Sequence, residues 1–175
     1  NGKLAYLPVP KNASTTYMTF FKENGFREVD HKDVAEDSLF FGHIQDPHVR
    51  HTKGVAEYVR MKSIDIEGSQ CEKLLASGIF DVHTYPISIM YPDFYKKAVW
   101  IPMSISGLDM SCNEITQYFF RKKNIDLEIP LDILLNKGEP SFKDLCNKIA
   151  QIKKSYQALY NQTVSYMMLT DLSLY

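Results

Sequence analysis

The sequence is short of the residues that staple, span or tether. Among its 175 residues are three cysteines, Cys71, Cys112 and Cys146, with no CxxC pair, and a single tryptophan, Trp100. An odd, widely spaced set of thiols argues against a disulfide framework or a zinc site and for buried cysteines in a reducing compartment. Charge of one sign is also missing. Lys and Arg number 20 against 21 Asp and Glu, a net charge of -1, so no overall field recruits nucleic acid or an anionic membrane. No run approaches the roughly 18 apolar residues of a membrane span, and NGKLAYLPVP lacks the charged-then-apolar layout of a signal peptide. These absences lead to the expectation of a cytoplasmic chain with no membrane span and no nucleic-acid partner. Internal repeats, low-complexity tracts and clusters with metal-ligand spacing are missing as well, so no metal is expected.

What is present is a globular composition, 45% apolar and 23% charged, in a chain long enough to bury a core as one domain over residues 1–175. LAYLPV reads as a short buried strand, followed by a helix that Ser14 can cap and that ends at Gly25, with Tyr17, Phe20 and Phe21 on one face. SLFFGHI, residues 38 to 44, reads as a second buried strand. It runs into Asp46-Pro47, an N-cap followed by proline at the first helical position. The helix beyond carries Val49, Thr52, Ala56 and Val59 at helical spacing. Ser69 with Glu72 and Ser111 with Glu114 each make a capping box; the first helix stops near Gly78, and the second turns Ile115, Tyr118 and Phe119 inward. AVWIPMS, residues 98 to 104, reads as a strand. A long helix after Ser141 places Phe142, Leu145, Ile149, Ile152 and Leu159 on its inner face. Strands alternating with helices predict an α/β fold of three layers, a mostly parallel sheet flanked by helices.

In such sheets ligands bind where strand C-termini meet helix N-termini. Two turns carry groups suited to phosphate there. The first is PKNASTT, residues 10 to 16, with Lys11, Asn12, Ala13, Ser14, Thr15 and Thr16. It lacks the GxxxxGK[ST] spacing of an ATP-binding loop and is short enough to hold one terminal phosphate. The second is HIQDPHVRHTKG, residues 43 to 54, which sets Arg50 and Lys53 on the first turns of a helix entered from a strand.

PKNASTT resembles the 5′-phosphosulfate loop of sulfotransferases that use 3′-phosphoadenosine 5′-phosphosulfate (PAPS). Residues 44 to 58 are similar to the 3′-phosphate segment of that family, which runs from Arg-Asp-Pro through a second arginine to a serine and a tyrosine. Asp81-Val-His83-Thr-Tyr-Pro86 resembles the Asp-x-His-x-x-Pro element of carbohydrate sulfotransferases, and Tyr166 to Tyr175 is similar to their closing helix. Two positions depart from the pattern: Gln45 stands where the family has the first arginine, and Lys53 where it has the serine. An amide donates singly where arginine offers a charged fork, and Lys53 can restore the charge.

The resemblance implies a P-loop NTPase-like sulfotransferase fold and transfer of a sulfuryl group from PAPS to an acceptor hydroxyl, with a carbohydrate as the expected acceptor and no metal. Lys11 would neutralise the departing phosphate oxygen. Residues 12 to 16 would hold the 5′-phosphate, and Gln45, Arg50 and Lys53 the 3′-phosphate. The acceptor needs a base, and histidine suits neutral pH. His83 leads, His43 follows, and His31 with Glu28 is third, while His48 and His51 are expected on a helix surface. Two alternatives stay open: an inactive nucleotide-binding module of the same fold, and a small-molecule or nucleotide kinase.

Overall fold

A computed structural model of the chain describes residues 4–77, 81–133 and 139–155. The strands are β1 (Leu4–Tyr6), β2 (Leu39–Ile44) and β3 (Val99–Pro102). The helices are α1 (Ser14–Glu23), α2 (Pro47–Lys62), α3 (Ser69–Ser77), α4 (Ile87–Met90), α5 (Cys112–Lys122) and α6 (Pro140–Ser155), with a 3-10 turn at His31–Asp33. The three strands form one parallel sheet in the order β1-β2-β3. Tyr6 pairs with Phe41, Phe41 also with Val99, and His43 with Ile101. Parallel neighbours need crossovers, and the helices between the strands supply them. The chain is therefore α/β, as the alternation predicts. No helix of the described residues is long and apolar enough to cross a membrane.

The fold divides into two compact units, Asn1–Gln45 with Asp93–Asn136, and Asp46–Pro92 with Lys137–Tyr175. The first has an aromatic core. Tyr17, Phe20 and Phe21 of α1 and Ile115, Phe119 and Phe120 of α5 pack with Phe41 and Ile101 of the sheet. Phe41 meets Phe21 and Phe120 edge to face, at 5.5 and 5.4 Å between ring centroids, the arrangement that sets a ring edge against a π face. The second unit closes Val55, Ala56 and Val59 of α2 over Cys71 and Leu75 of α3 and Ile149 of α6.

Helix ends follow the sequence signals in most places. Asp46 caps α2, its carboxylate accepting from the N–H groups of His48 and Val49 at 2.8 and 3.0 Å. Ser111 and Glu114 complete both halves of a capping box on α5. After α1, Gly25 takes φ 85°, and the Gly25 and Phe26 N–H groups return to the carbonyls of Lys22 and Phe21. Phe26 then packs on Phe21 at 5.0 Å, which completes a Schellman ending.

Four expectations need correction. Ser14 does not cap α1; Ala13 occupies the N-cap in the left-handed conformation and makes no side-chain cap bond, which places Ser14 inside the first turn. β1 is half-buried rather than buried, because it lies at the sheet edge; Leu7 and Val9 beyond it go into the core instead. On α2 Ala56 and Val59 are buried as the spacing predicts, but Val49 is exposed while Arg50, His51, Gly54 and Val55 are buried, so the inner face departs from the apolar spacing in the first turns and His51 is not on the surface. Tyr118 of α5 faces solvent. Gly78, Leu159 and the segment from Tyr166 to Tyr175 lie outside the described residues.

Candidate functional site

The turn after β1 has an unusual backbone. Lys11 has φ 68° and Ala13 φ 56°, left-handed values that cost an L-residue roughly 1–2 kcal/mol each. Two side-chain amides hold the chain there. Asn12, fully buried, donates from Nδ2 to the His43 carbonyl at 2.7 Å. Gln45 donates from Nε2 to the Lys11 carbonyl at 2.5 Å. The turn and the C-terminal end of β2 are thus tied in both directions, and Asn12 N–H closes back on Val9 C=O at 3.1 Å. Asn12 Oδ1 is buried with no hydrogen-bond partner among the described residues, a further cost of about 1–3 kcal/mol.

Beyond the turn, Tyr17 N–H makes the first helical bond, to Ala13 C=O at 3.1 Å. The N–H groups of Ser14, Thr15 and Thr16 precede that ladder and point out of the N-terminus, where the helix dipole is positive. Asn12 N–H is spent on Val9, so the backbone donors run from Ala13 to Thr16 rather than from Asn12. Thr15 is exposed, and Ser14, Thr16 and Lys11 are half-buried. The backbone thus gathers the N–H groups of Ala13 to Thr16 at the positive end of the α1 dipole, with Lys11 and the hydroxyl residues in the same short segment.

His43 belongs to the core. It is fully buried, stacked on Tyr17 at 3.9 Å between ring centroids, with Nε2 3.0 Å from Thr116 Oγ1 and Nδ1 3.3 Å from the Tyr6 hydroxyl. Thr116 gives its own proton to the Cys112 carbonyl at 2.7 Å, so its oxygen accepts and His43 Nε2 is the donor. Burial pushes the His43 pKa down to about 3, which keeps the ring neutral. The Tyr17 hydroxyl, pushed up mainly by burial, donates to Asn113 Oδ1 at 2.8 Å. This network joins β2, α1 and α5; it was not legible in the sequence, where Thr116 and Asn113 read as ordinary helix positions.

The second unit holds the remaining predicted residues. Arg50 is 1% exposed and donates from Nη2 to the Tyr85 carbonyl at 2.6 Å. Lys53 is half-buried on α2. His83 sits in the turn before α4, its N–H 2.9 Å from Asp81 Oδ1 and its ring Nδ1 2.9 Å from Asp81 Oδ2. A carboxylate only accepts, so Nδ1 carries the proton and Nε2 is the basic nitrogen. Asp81, which stands beside His83 in the Asp-x-His-x-x-Pro element of the sequence, is the partner that orients the ring. Lys11 to Thr16, His43 and Gln45 belong to the first unit, and Arg50, Lys53 and His83 to the second. Glu28 is exposed. Compared with protein-family models, curated proteins and solved structures, the chain matches none of them.

Proposed function

We propose that the chain is a PAPS-dependent sulfotransferase acting on a hydroxyl, with a carbohydrate as the favoured acceptor class. The observation that carries this reading is the cost stored in one short turn: left-handed Lys11 and Ala13 around a buried, incompletely bonded Asn12. Backbone strain of this kind concentrates where a chain must hold a ligand. The turn is built from the residues that resemble the 5′-phosphosulfate loop, and it opens on the uncapped start of α1.

In the proposed step the acceptor oxygen bonds to sulfur as the S–O bond to the 5′-phosphate breaks. The acceptor proton passes to His83 Nε2, and the released electron pair stays on the bridging oxygen, met by the Lys11 ammonium. The N–H groups of Ala13 to Thr16 hold the 5′-phosphate. His43, neutral and enclosed, is given a structural part, and the base is His83 oriented by Asp81. Gln45 shapes the Lys11 turn. With Arg50 buried, the 3′-phosphate falls to Lys53. The P-loop-like form of the fold belongs to the same proposal.

A second reading, a nucleotide-binding module without transfer, is favoured by one observation: Gln45 and Arg50, two of the three residues matched to the 3′-phosphate, both give a hydrogen bond to a backbone carbonyl. Thermal shift with 3′,5′-bisphosphoadenosine, AMP and ATP-Mg, followed by a transfer assay, separates the readings. The bisphosphate should stabilise most, and Lys53→Ala should remove about 1.5–3 kcal/mol of its binding, the range for a charged hydrogen bond, while sparing AMP. Equal shifts by all three nucleotides overturn the PAPS reading; bisphosphate selectivity without any transfer leaves the binding module.

A further inference from the structure

The turn that carries His83 is held by α2 as well as by Asp81. Gly54 lies so close that a Cβ on it would stand 2.3 Å from the His83 carbonyl oxygen, 2.8 Å from the carbonyl carbon and 3.2 Å from Thr84 Cγ2. One helical turn earlier Arg50 reaches the Tyr85 carbonyl. The carbonyls of His83 and Tyr85, on either side of the buried Thr84, therefore both meet α2. Within the turn, Thr84 Oγ1 donates to the Asp81 carbonyl at 2.9 Å, and the N–H groups of Thr84 and Tyr85 return to the same oxygen at 3.0 and 3.1 Å.

Both α2 residues call for a reason to stand where they do. A glycine inside a helix gives up about 1 kcal/mol relative to alanine, and a buried guanidinium is unfavourable unless it is bonded. Four residues apart, they lie on one helix face. Helix stability explains neither of them, whereas seating one turn explains both.

We propose that Arg50 and Gly54 are positioning residues for His83, fixing residues 81–86 on α2 so that Asp81 holds ring Nδ1 and Nε2 is left as the basic nitrogen. This rests on the reading of His83 as the general base, and it moves Arg50 from phosphate contact to support of the base. Arginine at this position then serves the chemical step and not donor affinity.

Ring 15N spectra of histidine-labelled protein report which nitrogen of His83 carries the proton, and they need neither donor nor acceptor. The wild type should show protonation at Nδ1. In Gly54→Ala the turn must retreat by about 1 Å to turn the 2.3 Å approach into an ordinary contact of 3.4 Å or more. The Nδ1 preference should then be lost, and kcat should fall on the order of 100-fold with bisphosphate affinity unchanged. Arg50→Lys, which keeps the charge but not the fork, should move the ring in the same direction and decides the matter if Gly54→Ala does not fold. A folded Gly54→Ala, or Arg50→Lys, with the wild-type ring spectrum overturns the proposal. So does Arg50→Lys that weakens bisphosphate binding and leaves the ring unmoved. If wild type shows the expected spectrum but transfers nothing, the positioning stands and the sulfotransferase reading falls.

Discussion

At Lys11 backbone and side chain can be tested apart. Glycine adopts φ 68° without the roughly 1–2 kcal/mol that an L side chain meets there, whereas alanine keeps that cost. Both substitutions remove the ammonium. Lys11→Gly and Lys11→Ala should therefore lose transfer equally, by about 3 kcal/mol in the barrier or on the order of 100-fold, while denaturant unfolding shows both variants folded and glycine the more stable. Turnover within about tenfold of wild type in either variant removes Lys11 from the leaving group. His43 makes the opposite kind of prediction, about stability. Its ordinary value of 6.5 falls to about 3 in the folded chain, so between these values the unfolded state holds more protons. Stability is then fully present above about pH 6.5 and is lost as pH falls toward 3. His43→Gln should be less stable at pH 7, yet its stability should fall less steeply between pH 6 and 4, by about 1.4 kcal/mol per pH unit relative to wild type. Parallel acid limbs in urea melts of the two proteins contradict a buried neutral His43.

On the scale of elements, α6 meets α2 through an apolar stripe and one buried amine. Lys153, 8% exposed, donates to Thr52 Oγ1 at 2.8 Å and approaches His51 Nδ1 at 3.4 Å and the His48 carbonyl at 3.5 Å. Desolvation lowers it to about 8, against the opposing pull of Asp46. Because the folded value lies below the ordinary 10.5, the unfolded chain holds more protons from pH 8 to 10.5 and stability rises across that window. Lys153→Met should gain about 1–3 kcal/mol at pH 7, since a buried charge gives way to an apolar chain of similar length, and its stability should no longer rise above pH 8. Chemical denaturation at pH 7, 8.5 and 10 checks both, and a variant destabilised at every pH contradicts the sign. The same helix shows where sequence reading stops. Asp46-Pro47 fixed the start of α2 because capping is local, but the inner face went to Val49 by apolar spacing. What buries Arg50 and His51 instead is Tyr85, 35 residues away, and Lys153, 102 residues away, and no local periodicity carries such partners. Gly54 was the visible cue, a glycine inside a helix with no turn to make.

For the molecule as a whole, the α/β class was legible because strands and helices alternate along the chain. The two units were not, since each is assembled from two separate segments and no change of composition marks the crossings at Asp46, Asp93 and Lys137. The phosphate turn was half legible. Its residue types named an anion, while its left-handed backbone came from Gln45, 34 residues downstream, on a lysine that propensity would not place there. The sulfotransferase reading of this chain depends on that turn taking the 5′ end of a bisphosphonucleotide. The most direct measurement is an amide 1H–15N titration of the uniformly labelled protein with 3′,5′-bisphosphoadenosine. Saturable shifts at Ala13, Ser14, Thr15 and Thr16 are expected, much reduced in Lys11→Ala. A nucleotide that binds while those four amides stay in place, or that does not bind at all, contradicts the claim.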